Sequence, residues 1–472
     1  METTTEKKSS PAAESRQYTE LPRKLGLLSA IAVLVGSVIG TGIFRSPAGI
    51  AQKVPDESLY LLIWALGGFF ALCGALTLAE LASAIPRTGG FFVYLREGWG
   101  PLPAFLFGWS ELIIIRASAL GAISTVFAEY LLRSLRIDNT EAVHYVAAAA
   151  IAIVAAYNIV GVRLGAFVQN LTTATKYLAL VVLVLAAFII GANHPAPVAA
   201  QQATTGGEVS TTLFGLAFIS LLWVYDGWGD VTFVSGEVKR PERFLPLALI
   251  IGTLAVITIY ILANLAYLHL LSIDQIANSK LVAADTAYRI IGDTGVTLVS
   301  IAVMVSAFGT LNGSMMTGPR IFFAMADEGL FFKKIASVHT RFKTPYVAIS
   351  LAATMAIAFV LVRTFEQLAD TFVLAIWPFY AGGVVAVYAL RRKRPDLARP
   401  YKTFGYPVTP ALFLFAALFL LGNAMLDDLR YYGVLPGGSD SSTGSGVLLV
   451  FLIILAGIPV YLIWKAAHSQ KS

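Results

Sequence analysis

Gly36-Ser37-Val38-Ile39-Gly40-Thr41-Gly42 interrupts the first apolar stretch of the chain, and Tyr225-Asp226-Gly227-Trp228-Gly229-Asp230 interrupts the sixth. An unpaired backbone N–H or C=O in hydrocarbon costs several kcal/mol, so non-helical backbone at membrane depth persists only around a cavity or binding site. Matching interruptions in two halves of a chain point to the place where a transporter holds its cargo. Transport is therefore the first expectation.

Around these breaks the composition is that of a membrane protein. Of 472 residues, 57% are hydrophobic and 13% charged, against about 25% charged in a soluble domain; mean hydropathy is +0.74. At about 20 apolar residues per crossing, twelve spans are predicted: 25–51, 58–84, 103–132, 142–160, 164–191, 211–233, 244–271, 285–311, 345–362, 366–390, 407–427 and 446–466. The polar stretch 312–344 is expected to hold short helices at the cytoplasmic surface. Residues 1–24 lack the apolar core of a cleaved signal peptide and read as a cytoplasmic tail. Residues 25–466 read as a single transmembrane transporter domain, and 467–472 as a second tail.

With twelve crossings both termini share one side. Of the 34 lysines and arginines, 24 fall on that side and six opposite, with Arg45, Arg116, Lys176 and Arg289 inside spans. The positive-inside rule places both termini in the cytoplasm, the chain being a multi-pass protein of the cell membrane. The net charge of +6 then reports topology, and no nucleic-acid partner is expected. The breaks lie five spans apart. Because five is odd, a second repeat enters the membrane inverted, giving a 5+5 inverted repeat with two additional C-terminal helices. The predicted fold class is an all-α integral membrane protein with helices 1 and 6 unwound.

The single cysteine, Cys73, reads as a packing residue, and the five histidines are scattered near span ends or loops. There is no HExxH, paired CxxC, Walker loop or GxSxG, so the expectation is no metal, no cofactor and no enzyme.

A broken helix leaves free N–H groups on the half that starts and free C=O groups on the half that ends. The first suits a carboxylate and the second a cation, a combination that fits an α-amino acid. Ile39, Gly40, Thr41 and Gly42 of the first break are the candidate substrate contacts, with Trp223, Tyr225 and Asp226 of the second. Trp223 is also a candidate gate. Asp226 and Asp230 are read as structural, bonding free groups of the break. Lys176 lies 13 residues after Arg163, roughly 20 Å along a helix, beyond snorkelling reach. Its ammonium is the coupling or gating candidate: it can take the place of a sodium ion on carbonyls of the first break, or carry a coupled proton. Arg116 is similarly deep, and Glu111, five residues earlier, is expected on a different helix face.

The stretches Gly36–Phe44, Pro86-Arg87-Thr88-Gly89-Gly90, Leu112-Ile113-Ile114-Ile115-Arg116 and Tyr225-Asp226-Gly227-Trp228 resemble the amino acid–polyamine–organocation (APC) superfamily. So do Gly236-Glu237-Val238 with Pro241, Arg243 and Leu245-Pro246, and Asn312-Gly313-Ser314 with Arg320. The resemblance is strongest to the L-type amino acid transporter (LAT) branch, in its prokaryote-type form, and covers about residues 25–466. It implies a LeuT-like fold and sodium-independent exchange of L-amino acids held on the two unwound segments. By the same resemblance Lys176 is the fifth-helix lysine linking the substrate region to the inner gate, and Tyr260 is the seventh-helix tyrosine near the site. Eukaryotic members join a glycoprotein heavy chain through a cysteine after span three; residues 133–141 contain none, so no disulfide-linked heavy chain is expected. The expected partners are the amino acid substrate and the lipid bilayer. Trp223, where many relatives carry phenylalanine, points to small neutral side chains. The alternatives are a proton-coupled symporter of the same fold and, from another class, an amino acid sensor that does not transport.

Overall fold

The computed structural model describes residues 23, 25–87, 89–160, 162–191, 210–327, 329–331, 334–335, 337, 339–342, 344–436 and 444–469. Of the residues singled out above, the rest of the tail 1–24, Thr88, residues 470–472 and the side chains of Arg163 and Arg320 lie outside the described set.

The helices, in chain order, are α1 (Leu27–Val38), α2 (Gly42–Lys53), α3 (Glu57–Ala84), α4 (Phe91–Trp99), α5 (Pro101–Ser110), α6 (Arg116–Ser134), α7 (Thr140–Val160) and α8 (Val162–Ile189). There follow α9 (Thr211–Val224), α10 (Pro241–Leu270), α11 (Ile273–Ala277), α12 (Val282–Asp327), α13 (Tyr346–Val360), α14 (Phe365–Lys393), α15 (Val408–Tyr431) and α16 (Val447–Ser469). A π-turn over Glu111–Ile115 joins α5 to α6, and a 3-10 segment, Asp230–Glu237, follows α9. No strand occurs among the described residues; one isolated bridge pairs Leu25 with Val238.

Among the described residues, eight helical stretches are long and apolar enough to cross a membrane, and α1 with α2 form a ninth crossing bent by 42°. Three shorter apolar helices, in α8, α9 and α13, complete the twelve spans. Span two packs on span seven (α3 on α10), three on eight (α6 on α12) and four on nine (α7 on α13). The halves of spans one and six also meet, α2 on α9 and α1 on the 3-10 segment. In these four pairs, members five spans apart pack on one another, in keeping with an inverted repeat.

Three boundaries differ from the sequence reading. The eighth span was placed at 285–311 with separate short helices after it, but α12 runs unbroken from its kink at Ile291–Gly292 to Asp327. Gly292, at φ 63°, turns the chain where no apolar pattern marks a boundary, so Arg289 belongs to the helical segment before the kink. The polar run from Asn312 onward is the continuation of the same helix. The sixth span, predicted over 211–233 with its break at Tyr225–Asp230, is α-helical to Val224 as that break requires, and resumes as a 3-10 helix that ends at Glu237, beyond the predicted boundary.

A cavity between two interlocked breaks

The first break is built by glycine and by unused backbone groups. α1 ends at Val38, the Gly40 N–H turns back to the Val38 carbonyl at 2.8 Å, and α2 restarts at Gly42 with no acidic residue in its first turn. α9 ends at Val224, and Gly227, at φ 101°, carries the chain through a turn that L side chains rarely adopt. The two breaks touch. A Cβ on Gly42 would stand 2.9 Å from the Val224 Cα, and one on Gly227 would stand 2.9 Å from the Ser37 carbonyl carbon. Glycine at both positions is thus a condition of the contact.

Among the described residues, five side chains hold carbonyls of the first span, Tyr177 among them, which donates to Ala32 at 3.4 Å. Lys176 donates to Gly36 at 2.5 Å and reaches the Thr310 hydroxyl at 3.5 Å. Tyr260 donates to Val38 at 2.8 Å, Tyr267 to Ile43 at 3.2 Å and Tyr130 to Phe44 at 3.0 Å. Ile43 needs such a partner because Pro47, four residues on, has no N–H to give it. Lys176 is 0% exposed, and its two bonding partners are neutral oxygens.

A cavity of about 680 Å³ lies between the breaks and runs along α1 to Leu25, so its mouth is on the side where α1 begins. Gly40, Thr41, Gly42, Trp223 and Asp226 line it, as do Thr310 and Ser314 of α12 and Phe372, Ile376 and Tyr380 of α14. Ile39, Tyr225 and Tyr260 are buried but do not line it. Tyr225 points the other way and donates to the Trp64 carbonyl at 3.1 Å. Tyr260 acts on the far side of the break, through Val38. Lys176 likewise stands behind the wall, touching the lining residues Gly36 and Thr310.

Asp226 and Asp230 both line the cavity. Asp226 accepts the Tyr380 hydroxyl at 2.7 Å, and Asp230 lies against Ser37, facing Arg116. Glu111 and Arg116 do pair, at 3.0 Å, contrary to the sequence reading. The reason is the π-turn: with i→i+5 hydrogen bonds, residues five apart stack on one face, where an α-helix would separate them. Arg116 also donates to Ser314 at 2.8 Å. Sequence reasoning missed Thr310, Ser314, Phe372, Ile376 and Tyr380. The run Thr310-Leu311-Asn312-Gly313-Ser314, polar within an apolar span, was the available signal for α12, and Pro378 was one for α14.

The electrostatics follow from the broken helices. N–H groups at the start of α2 present positive potential, and carbonyls at the ends of α1 and α9 present negative potential. The amino acid permease family model matches residues 25–463.

The chain belongs to the amino acid permease family.

Membership brings the LeuT-like fold of twelve spans to this permease. It is 33% identical over 444 residues to the serine/threonine exchanger SteT of Bacillus subtilis (strain 168), covering 93% of this chain and 96% of that protein. It is 32% identical over 413 residues to the human b(0,+)-type amino acid transporter 1, covering 87% of this chain and 84% of that one. It is also 32% identical over 459 residues to the human cystine/glutamate transporter, covering 95% and 87% respectively. Family and helices together make it a multi-pass membrane protein.

Proposed function

We propose that this permease is a sodium-independent exchanger of L-amino acids, selective for small neutral side chains, that works by alternating access. The carrying observation is the Lys176 ammonium on the Gly36 carbonyl. A fixed positive charge beside the broken span supplies the electrostatic role that a bound sodium ion would otherwise fill. The exchangers among its relatives support exchange. The substrate carboxylate sits on the N–H groups at the start of α2, with the Thr41 hydroxyl as a further donor. Its ammonium sits at the carbonyl ends of α1 and α9, whose dipoles present negative potential to the cavity. Trp223 and Phe372, 5.1 Å apart between ring centroids, narrow the side-chain end and favour alanine, serine or threonine over leucine.

The chain works as a carrier rather than an enzyme, as one transporter domain over 25–466, without a disulfide-linked heavy chain. It lies in the cell membrane with both termini in the cytoplasm. On that orientation the mouth beside Leu25 faces the cytoplasm.

Counterflow in proteoliposomes tests the reading. Vesicles preloaded with unlabelled alanine should accumulate labelled alanine, serine and threonine at the same rate in sodium and in choline buffer. Uptake into empty vesicles driven by a sodium or pH gradient would overturn it.

A further inference from the structure

The connection between α14 and α15 is basic and held from within. Arg391, Arg392, Lys393, Arg394, Arg399 and Lys402 share it with one acid, Asp396. Glu80 of α3, 1% exposed, takes two of these cations, Arg391 at 2.9 and 2.6 Å and Arg399 at 3.4 Å. Glu80 also accepts the Thr403 N–H and the Thr403 hydroxyl, each at 2.8 Å. Arg394 pairs with Glu97 of α4 at 2.9 Å, and Lys393 donates to the Gly98 carbonyl at the same distance. Arg392 and Lys402 are exposed, and among the described residues neither side chain has a hydrogen bond or ion pair.

These two cations belong to one edge of the loop. Thr403 turns inward to Glu80, so its neighbours Lys402 and Phe404 turn outward, Phe404 being 75% exposed. Arg392 follows Tyr388 by four residues and shares its helix face. Tyr388 donates to the Pro407 carbonyl at 2.6 Å, and its ring lies 5.2 Å from that of Tyr406. Arg392 therefore stands beside the same loop. Below it, α15 opens an exposed apolar stripe of Val408, Ala411, Phe415 and Leu418. That three- and four-residue spacing marks one helix face, the face α15 gives to lipid. Phe404, four residues ahead of Val408, carries the stripe past the end of the helix. Cations at the rim thus sit over an apolar wall.

We propose that this corner, where spans two, ten and eleven meet, seats the headgroup of an anionic phospholipid. The phosphate lies between Arg392 and Lys402, and the acyl chains run along Phe404 and Val408. Charge complementarity selects the occupant. The bonded carboxylates, Glu80 and Glu97, are committed to Arg391, Arg399 and Arg394, which leaves the outward cations uncompensated. A guanidinium grips phosphate through paired N–H groups, and a lysine adds a point charge. A zwitterionic headgroup brings its own ammonium and gains less from the pair. A soluble anion would leave Phe404 and Val408 in water. Assigning the lipid to the cytoplasmic leaflet rests on the orientation proposed above; the seat itself depends neither on it nor on transport.

Lipid retention tests the assignment. The full-length protein in mixed micelles is titrated with phosphatidylglycerol or phosphatidylcholine, and bound lipid is counted by native mass spectrometry. The parent should hold phosphatidylglycerol in preference. Arg392→Gln and Lys402→Gln should each weaken that binding about fivefold, the worth of one cation near an anionic surface, and the double variant should lose the preference. Phe404→Ser should weaken both lipids together. Arg243→Gln removes another exposed cation on the same side and should leave retention unchanged. All these side chains are exposed and none touches Glu80, so the loop keeps its inner bonds in every variant. Undiminished retention in the double variant would overturn the proposal, as would an equal loss in Arg243→Gln. Glycerol phosphate binding as tightly as the lipid would overturn it too, since the apolar wall would then have no part. Failure of counterflow defeats the transport reading and leaves this measurement standing.

Discussion

The hydroxyl of Tyr267 meets the carbonyl of Ile43, the very group that Pro47 leaves without a helical partner. The pair lets a proline sit one turn beyond the break without exposing an unbonded oxygen in the bilayer. Tyr267→Phe should therefore destabilise the protein by about 1–3 kcal/mol, the cost of a buried unsatisfied acceptor. Tyr260→Phe should cost less, because the Val38 carbonyl keeps the Gly40 N–H. Melting curves of the purified variants should rank them in that order.

Lys176→Ala removes the donor to Gly36 and opens a polar void behind the first break. Alanine counterflow should fall at least tenfold, about the effect of 1.4 kcal/mol on the cycle. Lys176→Arg should not rescue it, because the site is fully buried and shaped for an ammonium. Rates measured with and without sodium give the outcome; wild-type rates in Lys176→Ala would end the role assigned to this lysine.

Arg116→Leu strands Glu111, which is 1% exposed. Breaking a buried pair from one side costs about 3–5 kcal/mol, whereas replacing both members by apolar residues is often neutral. Arg116→Leu should express poorly or melt early, and Glu111→Leu with Arg116→Leu should recover only part of the stability, because Asp230 still loses the cation it faces. Size-exclusion recovery after heating reads the difference.

Trp223→Ala enlarges the side-chain end of the cavity. Competition of leucine against labelled alanine should strengthen relative to that of serine. An unchanged ranking of inhibitors would remove Trp223 from the specificity wall.

The spans and the two breaks were legible because bilayer thickness and backbone desolvation act directly on sequence. Lys176 was legible for the same reason: a charge that far from either surface stands out by spacing alone. The Glu111–Arg116 pair was not, because helical-face reasoning assumes 3.6 residues per turn and a π-turn changes the phase. The direction of Tyr225 and Tyr260 was hidden as well. Both adjoin the breaks in sequence or space, yet which side of the wall each ring occupies depends on how α3 and α10 pack. The continuation of α12 past Asn312 was masked by polarity, since a cavity-lining helix and a surface segment share that composition.

Leu25 exchanges two backbone hydrogen bonds with the end of the sixth span, its N–H to Glu237 at 2.9 Å and its carbonyl from Lys239 at 2.8 Å. The rims of the mouth contributed by spans one and six are thereby stitched into one leaf. Any swing of α1 must carry the Glu237–Lys239 strap with it or break both stitches. The cytoplasmic doorway proposed for this permease accordingly turns on a double-ply panel, and each rim inherits the stiffness of the other.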